Sequence, residues 1–241
     1  MQEQFIRTQL LYGESGMARL HAARVIVFGL GGVGGHVVEA LARSGVGTLD
    51  LVDHDRLTPS NLNRQILALH STLGQLKVDV AEARIHDIAP ECNVHKHAMF
   101  VTQELLKQMD FRPYSYVVDA IDTVSAKLAL VESAQAADVP IISCMGAGNK
   151  KLATALQVAD LAQTAICPLA RIMRKKLRQR GIGHLKVVYS REEPQEADGT
   201  PEKNEKGRPV PGSNSFVPAV AGLLIAGEVI NALASASEKQ P

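Results

Sequence analysis

The residues best suited to chemistry lie in the first half of the chain. Gly29, Gly31, Gly32 and Gly34 fall within the run GLGGVG. Glycine is needed where backbone N–H groups must approach a phosphate with no Cβ in the way, and a helix N-terminus behind the turn adds a favourable dipole. The same run also suits a tight turn that packs a helix closely and binds nothing. Asp53 closes the next apolar run, where a carboxylate usually grips a ribose hydroxyl. To this point a nicotinamide dinucleotide and a nucleoside triphosphate are served equally. The segment beyond Asp53 separates them, because it carries Asn61, Arg64, Gln65 and Lys77. A dinucleotide's pyrophosphate is neutralised by turn and helix and has no need of two permanent cations. A triphosphate losing pyrophosphate calls for Arg and Lys clamps. Arg64 offers a planar fork and Lys77 a point charge. Asp122 is expected to end the strand YVVDAID, an edge where open α/β sheets bind ligands, and to hold Mg²⁺ between phosphates. Capping the helix that follows Thr123 is its alternative role.

The surrounding sequence predicts the elements that position these groups. RVIVFG reads as a buried strand, the glycine run opens a helix with Val37, Val38, Leu41 and Ala42 on one face, and TLDLVD is the next strand. Alternation continues: a helix over 75–88, a strand NVHKHAMF, a helix over 102–109 opened by Thr102, a strand YVVDAID, a helix over 124–137 and a strand VPIISCMG. This order predicts a Rossmann-like, doubly wound, mostly parallel α/β sheet with right-handed crossovers. After Gly148 the texture changes. ATALQVADL reads as a strand, residues 168–180 as a basic amphipathic helix, HLKVVYS as a strand, 191–212 as a mobile loop and 215–234 as an apolar helix. Residues 1–22 read as polar helical turns and SASEKQP as a frayed tail.

Bulk properties narrow the class. The chain has 241 residues and a formal net charge of +1, so any nucleic-acid partner must be met by a local patch. Cys92, Cys144 and Cys167 are far apart and form no C-x-x-C pair, which argues against structural zinc and disulfides and fits a reducing cytoplasm. The most apolar stretch, 216–225, falls short of the roughly 20 residues that span a bilayer, so no membrane association is expected.

GLGGVG, LVDHD, NLNRQ, the G-Q-x-K of 74–77 and DAID together resemble the activating-enzyme superfamily, which adenylates carboxylates with MgATP. The resemblance implies that the glycine turn faces the phosphates, Asp53 binds the ribose, Arg64 and Lys77 bind the triphosphate with Asn61 and Gln65 beside them, and Asp122 binds Mg²⁺. Arg7, in FIRTQLLYG, matches an arginine inserted into a neighbouring subunit's site, which implies a homodimer. Within the superfamily, ARSGVG, RQILALHSTLGQLK, CPLARIMRKKLRQRGI, LKVVYS and GSNSFVPAVAGLLIAGEVI resemble the tRNA threonylcarbamoyladenosine dehydratases. That likeness implies one ThiF-like adenylating unit over 1–241, with an ATP-binding core at 22–148 and a substrate-binding extension at 149–234. It implies ATP-dependent cyclisation of threonylcarbamoyladenosine beside the anticodon, with sulfur-transfer proteins such as a cysteine desulfurase as further partners. Activation of a small sulfur-carrier protein's C-terminus is the alternative activity.

The charge map agrees with an RNA substrate. From Arg171 to Arg191 there are eight Lys or Arg residues and no acid. Arg171, Arg174, Lys175 and Arg178 are the candidate phosphate-tracking residues, with Leu169, Ile172, Met173 and Leu177 expected on the apolar side. A solvated helix balanced by the acidic residues of 192–205 is the plainer reading. Cys167 precedes this helix where ubiquitin-activating relatives carry an acyl-accepting cysteine, but a dehydratase needs no thioester.

Overall fold

In the computed structural model, residues 3–196 and 210–235 are described. Seven strands form one sheet: β1 (Arg24–Phe28), β2 (Thr48–Val52), β3 (Asn93–His97), β4 (Tyr116–Asp119), β5 (Ile141–Cys144), β6 (Leu156–Asp160) and β7 (Lys186–Ser190). Their order is β3-β2-β1-β4-β5-β7-β6, parallel throughout except for β6, which pairs antiparallel with β7. β1 therefore has β2 on one side and β4 on the other. The chain winds outward in opposite directions from this point, and the strand ends splay apart there to leave a crevice.

Seven helices cover the sheet: α1 (Ile6–Ala22), α2 (Gly34–Arg43), α3 (Lys77–Ile88), α4 (Gln103–Gln108), α5 (Val124–Ala136), α6 (Pro168–Arg178) and α7 (Val217–Ser235). Alternation along β1 separates the two cores. Val25 and Val27 face a core shared by α1, α2, α3 and α7, while Ile26 and Phe28 face a second core under α4, α5 and α6. Val37, Val38, Leu41 and Ala42 of α2 are all buried as their spacing predicts. α7 packs on α2 through Gly222, where a Cβ would lie 2.4 Å from the carbonyl oxygen of Val33.

Several expectations are corrected. β4 ends at Asp119, so Asp122 lies in the turn beyond the strand rather than at its end. β3 stops at His97, and residues 153–155 form a 3-10 turn before β6. The first helix is longer than scattered turns, although Gly13 breaks its geometry with a φ of +70°. α7 has 19 residues and is apolar enough to meet the length criterion for a membrane span. Nevertheless its Ala221, Ile225, Ala226 and Val229 are buried in the first core. Residues 197–209 of the expected mobile loop and 236–241 of the expected tail lie outside the described residues. The loop's described ends are fastened: Gln195 N–H donates to the Asn149 carbonyl, and Gly212 N–H donates to Asn149 Oδ1.

Candidate active site

The crevice at the switch point has a volume of about 500 Å³, within the usual range for small-molecule sites. Gly29 opens its floor with a φ of +88°, and a Cβ there would meet the Ala120 carbonyl oxygen at 2.8 Å. Gly34 is tighter still, since its Cβ would fall 1.7 Å from the Gly29 oxygen. Both are required by close packing of the turn. Gly31 and Gly32 line the open crevice, whereas Gly34 is buried at the start of α2 and does not. Of the four glycines expected to touch a ligand, Gly34 is therefore reassigned to helix packing.

Asp53 is buried just beyond β2. Its Oδ2 accepts from the Leu30 N–H at 2.7 Å and its Oδ1 from the Asp55 N–H at 2.8 Å. The carboxylate thus ties the glycine turn to the end of β2, a task its place in the sequence does not reveal. A carboxylate has further lone pairs for a hydroxyl donor in the crevice. Lys77 is 5% exposed and opens α3. Its Nζ lies 2.6 Å from Asp55 Oδ2 and 3.7 Å from Asp53 Oδ2. Asp55 was not singled out by sequence reasoning, and the acid-x-acid spacing after β2 was the available signal.

Arg64 and Gln65 approach from the segment before α3. The Arg64 stem passes over the glycine turn, its Cγ 3.5 Å from where a Gly32 Cβ would be. One guanidinium nitrogen donates to the Ser60 carbonyl at 2.7 Å and to Asn63 Oδ1 at 2.9 Å. Gln65 points its Nε2 at Gly31, while its buried Oε1 has no hydrogen-bond partner among the described residues. Leaving a buried acceptor unmet costs roughly 1–3 kcal/mol, so an unmet one in a site wall marks a place for a ligand or water donor. Asn61 lines the crevice, but its Oδ1 accepts from the Thr58 N–H at 3.1 Å and closes a local capping box. Asp122 is exposed on the opposite wall, where among the described residues the Thr123 hydroxyl donates to its Oδ1 at 3.3 Å. Across the mouth, His54 stacks edge-on against Phe100 and lies 3.1 Å from Asp55.

The crevice therefore brings together Gly29, Gly31, Gly32, Asp53, Asn61, Arg64, Gln65, Lys77 and Asp122. It does not include Arg7, which is exposed on α1 beside Leu10 and Leu11, 82% and 80% exposed. Nor does it include the basic helix. On α6, Arg171, Lys175 and Arg178 are exposed. Arg174 is committed instead to the Leu161 and Thr164 carbonyls and the Thr164 hydroxyl, so it anchors the helix to the preceding turn. Ile172, expected on the apolar side, is 43% exposed. Glu192, expected to balance the basic helix from an acidic loop, turns inward and accepts from the Lys151 and Leu152 N–H groups. Cys167 is buried, and burial pushes the Cys144 thiol up to about 12.

The site has the residues for an adenylating reaction: a glycine cradle, two cations beside it and a carboxylate on the facing wall. Asp122 offers a carboxylate oxygen donor suited to Mg²⁺, and beyond β2 the possible ligand atoms of Asp53, His54 and Asp55 lie within 4.8 Å of one another. Comparison with known proteins points the same way. The tRNA threonylcarbamoyladenosine dehydratase of Bacillus subtilis is 44% identical over 95% of this chain and 94% of its own length. Crystal structures of the E. coli tRNA N6-threonylcarbamoyladenosine dehydratase, TcdA, in complex with AMP and with ATP each superpose with a TM-score of 0.86 at 34% identity. They cover 96% of this chain and 94% and 93% of theirs. The ThiF family profile matches residues 3–241, and with the crevice, its cations and this full-length likeness the chain belongs to the ThiF family.

Proposed function

We propose that the protein is an ATP-dependent tRNA threonylcarbamoyladenosine dehydratase. The carrying observation is the crevice cation pair: Lys77, buried against two carboxylates, and Arg64, laid across the glycine turn. Such a pair draws off a departing pyrophosphate, and the ATP-bound E. coli dehydratase, which matches nearly the full chain, carries the same fold. ATP enters as the activating substrate, and Mg²⁺, when bound, would neutralise phosphate charge. Asp122 is the residue suited to hold that ion. The glycine turn receives the phosphates, and Asp53 takes the ribose hydroxyls. Arg64 and Lys77, with Asn61 and Gln65 beside them, hold the leaving pyrophosphate as the threonine carboxylate attacks the α-phosphate. The substrate's carbamoyl group then closes on the acyl carbon and AMP departs with the carboxylate oxygen. The chain's contribution to this second step is proximity.

The substrate side of the proposal rests on the exposed cations of α6, Arg171, Lys175 and Arg178, as a track for tRNA phosphates. Residues 22–148 act as the ATP-binding core and 149–234 as the substrate-binding extension. Arg7 serves the neighbouring subunit's crevice in a homodimer: it sits outside its own crevice, among exposed Ile6, Leu10 and Leu11, the kind of apolar patch that marks an interface. A cytoplasmic setting and contact with sulfur-transfer proteins belong to the same reading. Incubating threonylcarbamoyl-modified tRNA with the protein and MgATP, then analysing nucleosides by mass spectrometry, gives a product lighter by one water. An unchanged nucleoside, with adenylation of a sulfur-carrier C-terminus instead, would replace this reading with the carrier-activating one.

A further inference from the structure

Lys127 is the one charged residue in the run VSAKLALV that begins α5, and it is completely buried. An ammonium is disfavoured both by burial and by the positive end of a helix, so its place needs a reason. Its Nζ lies 2.9 Å from Asp119 Oδ2 and donates to the Ile121 carbonyl at 3.0 Å. Asp119, equally buried at the end of β4, also accepts from the Ser143 hydroxyl and, through Oδ1, from the Ile121 N–H at 3.3 Å. Both sides of the Ile121 residue are thus held from below. From above, the 120–121 peptide presses on the glycine turn, with the Gly29 Cβ position 2.8 Å from the Ala120 oxygen and 3.1 Å from the Ile121 nitrogen. The next residue is Asp122, which lies beyond the strand and, among the described residues, has the Thr123 hydroxyl as its hydrogen-bond partner.

We infer that Lys127, with Asp119 and Ser143, is a positioning device that fixes the 120–122 turn so that the Asp122 carboxylate faces the glycine cradle. The inference rests on the proposal that Asp122 serves Mg²⁺. Lys127 does not touch the ligand; it sets the distance between the phosphate cradle and the carboxylate opposite. A simple charge-neutralising pair would require only the Asp119 contact. The bond to the Ile121 carbonyl is what couples the pair to the crevice.

The test is calorimetric titration of a non-hydrolysable ATP analogue with and without Mg²⁺, so the readout is independent of turnover. The double variant Lys127→Met/Asp119→Asn removes both charges and leaves neither orphaned. It is expected to bind the analogue like the native chain without Mg²⁺, but to lose about tenfold of the affinity gained on adding Mg²⁺. Lys127→Arg, which keeps a cationic donor, is expected to retain most of that gain. Ser143→Ala spares the ion pair, and a smaller loss of about threefold is expected. An unchanged Mg²⁺ gain in a folded double variant overturns the inference, and if that variant does not fold, an unchanged gain in Ser143→Ala does so. If the native chain itself shows no Mg²⁺ gain, the assignment of Asp122 falls first and the inference with it.

Discussion

Burying an ammonium costs several kcal/mol unless partners are supplied, and Lys77 has two carboxylates within 4 Å. The result is a cation fixed at the crevice; in the proposed role it transfers its attraction to an incoming polyphosphate. Lys77→Ala should lower the rate of adenylation by about 10²–10³-fold, measured as ATP–pyrophosphate exchange, because the clamp acts on charge that develops as pyrophosphate leaves. It also leaves the Asp53 and Asp55 carboxylates in the crevice wall without their cation. Activity equal to the native chain would remove Lys77 from the machinery. On α6 the residues divide by partner. Arg174→Ala removes three hydrogen bonds to the 161–164 turn, so it should reduce stability by about 1–3 kcal/mol in denaturant unfolding. The triple change Arg171→Ala, Lys175→Ala and Arg178→Ala should leave stability alone. It should weaken tRNA binding across sequences and flatten its salt dependence by up to about three counterions. A triple variant with native affinity and salt slope would place the RNA elsewhere.

At the scale of elements, β2 carries a charge through its own middle. Asp50 is fully buried, with a bidentate bond from Arg24 at 2.8 and 2.9 Å, His97 Nε2 at 3.0 Å and the Tyr114 hydroxyl at 3.2 Å. Burial opposes its ionisation, but the bonds from His97 and Arg24 outweigh burial and hold the carboxyl at about 2, below the ordinary 3.8. A depressed folded-state value means stability that is complete above the unfolded value and lost as pH falls through the folded one. About 2 kcal/mol should therefore disappear between about pH 4 and pH 2. Denaturant unfolding of the native chain and Asp50→Asn across that window measures it: the variant should lack this component of the acid slope. An identical slope in both would show that other carboxylates carry the acid transition. The same network packs β3 against β2, and Asp53 N–H donates to the His97 carbonyl at 3.3 Å, so the end of β2 is fixed from the sheet side.

For the whole molecule, the crevice and the exposed cations of α6 lie on different parts of one sheet assembly, and Arg7 lies on neither. If a second subunit completes the site, Arg7→Ala and Lys77→Ala should each be inactive, yet mixing them should restore activity. Random exchange gives half heterodimers, each with one intact site, so recovery should approach about a quarter of native activity. Recovery near zero in a mixture shown to exchange subunits would return Arg7 to a plain surface role. Much of this architecture was legible beforehand. The short, near-continuously buried runs RVIVF and TLDLV, the glycine turn and the helix face of Val37, Val38, Leu41 and Ala42 all follow from local rules. Lys127 and Arg174 were not legible, because a cation within a helix gives no sign of whether its partner comes from another strand or turn.

The sequence by itself determined the alternation of strands and helices, the parallel sheet and, Asp55 apart, most of the polar residues of the crevice, because each depends on short-range period, turn chemistry and residue type. The tertiary structure decided what each polar group is doing. It turned Asp53 into a tie for the glycine turn, gave Lys77 its partner Asp55, moved Asp122 off the strand, turned Glu192 inward onto backbone N–H groups and tied Arg174 to the 161–164 turn. Those outcomes depend on contacts between residues distant in the chain, and only the packed fold brings those residues within hydrogen-bonding distance.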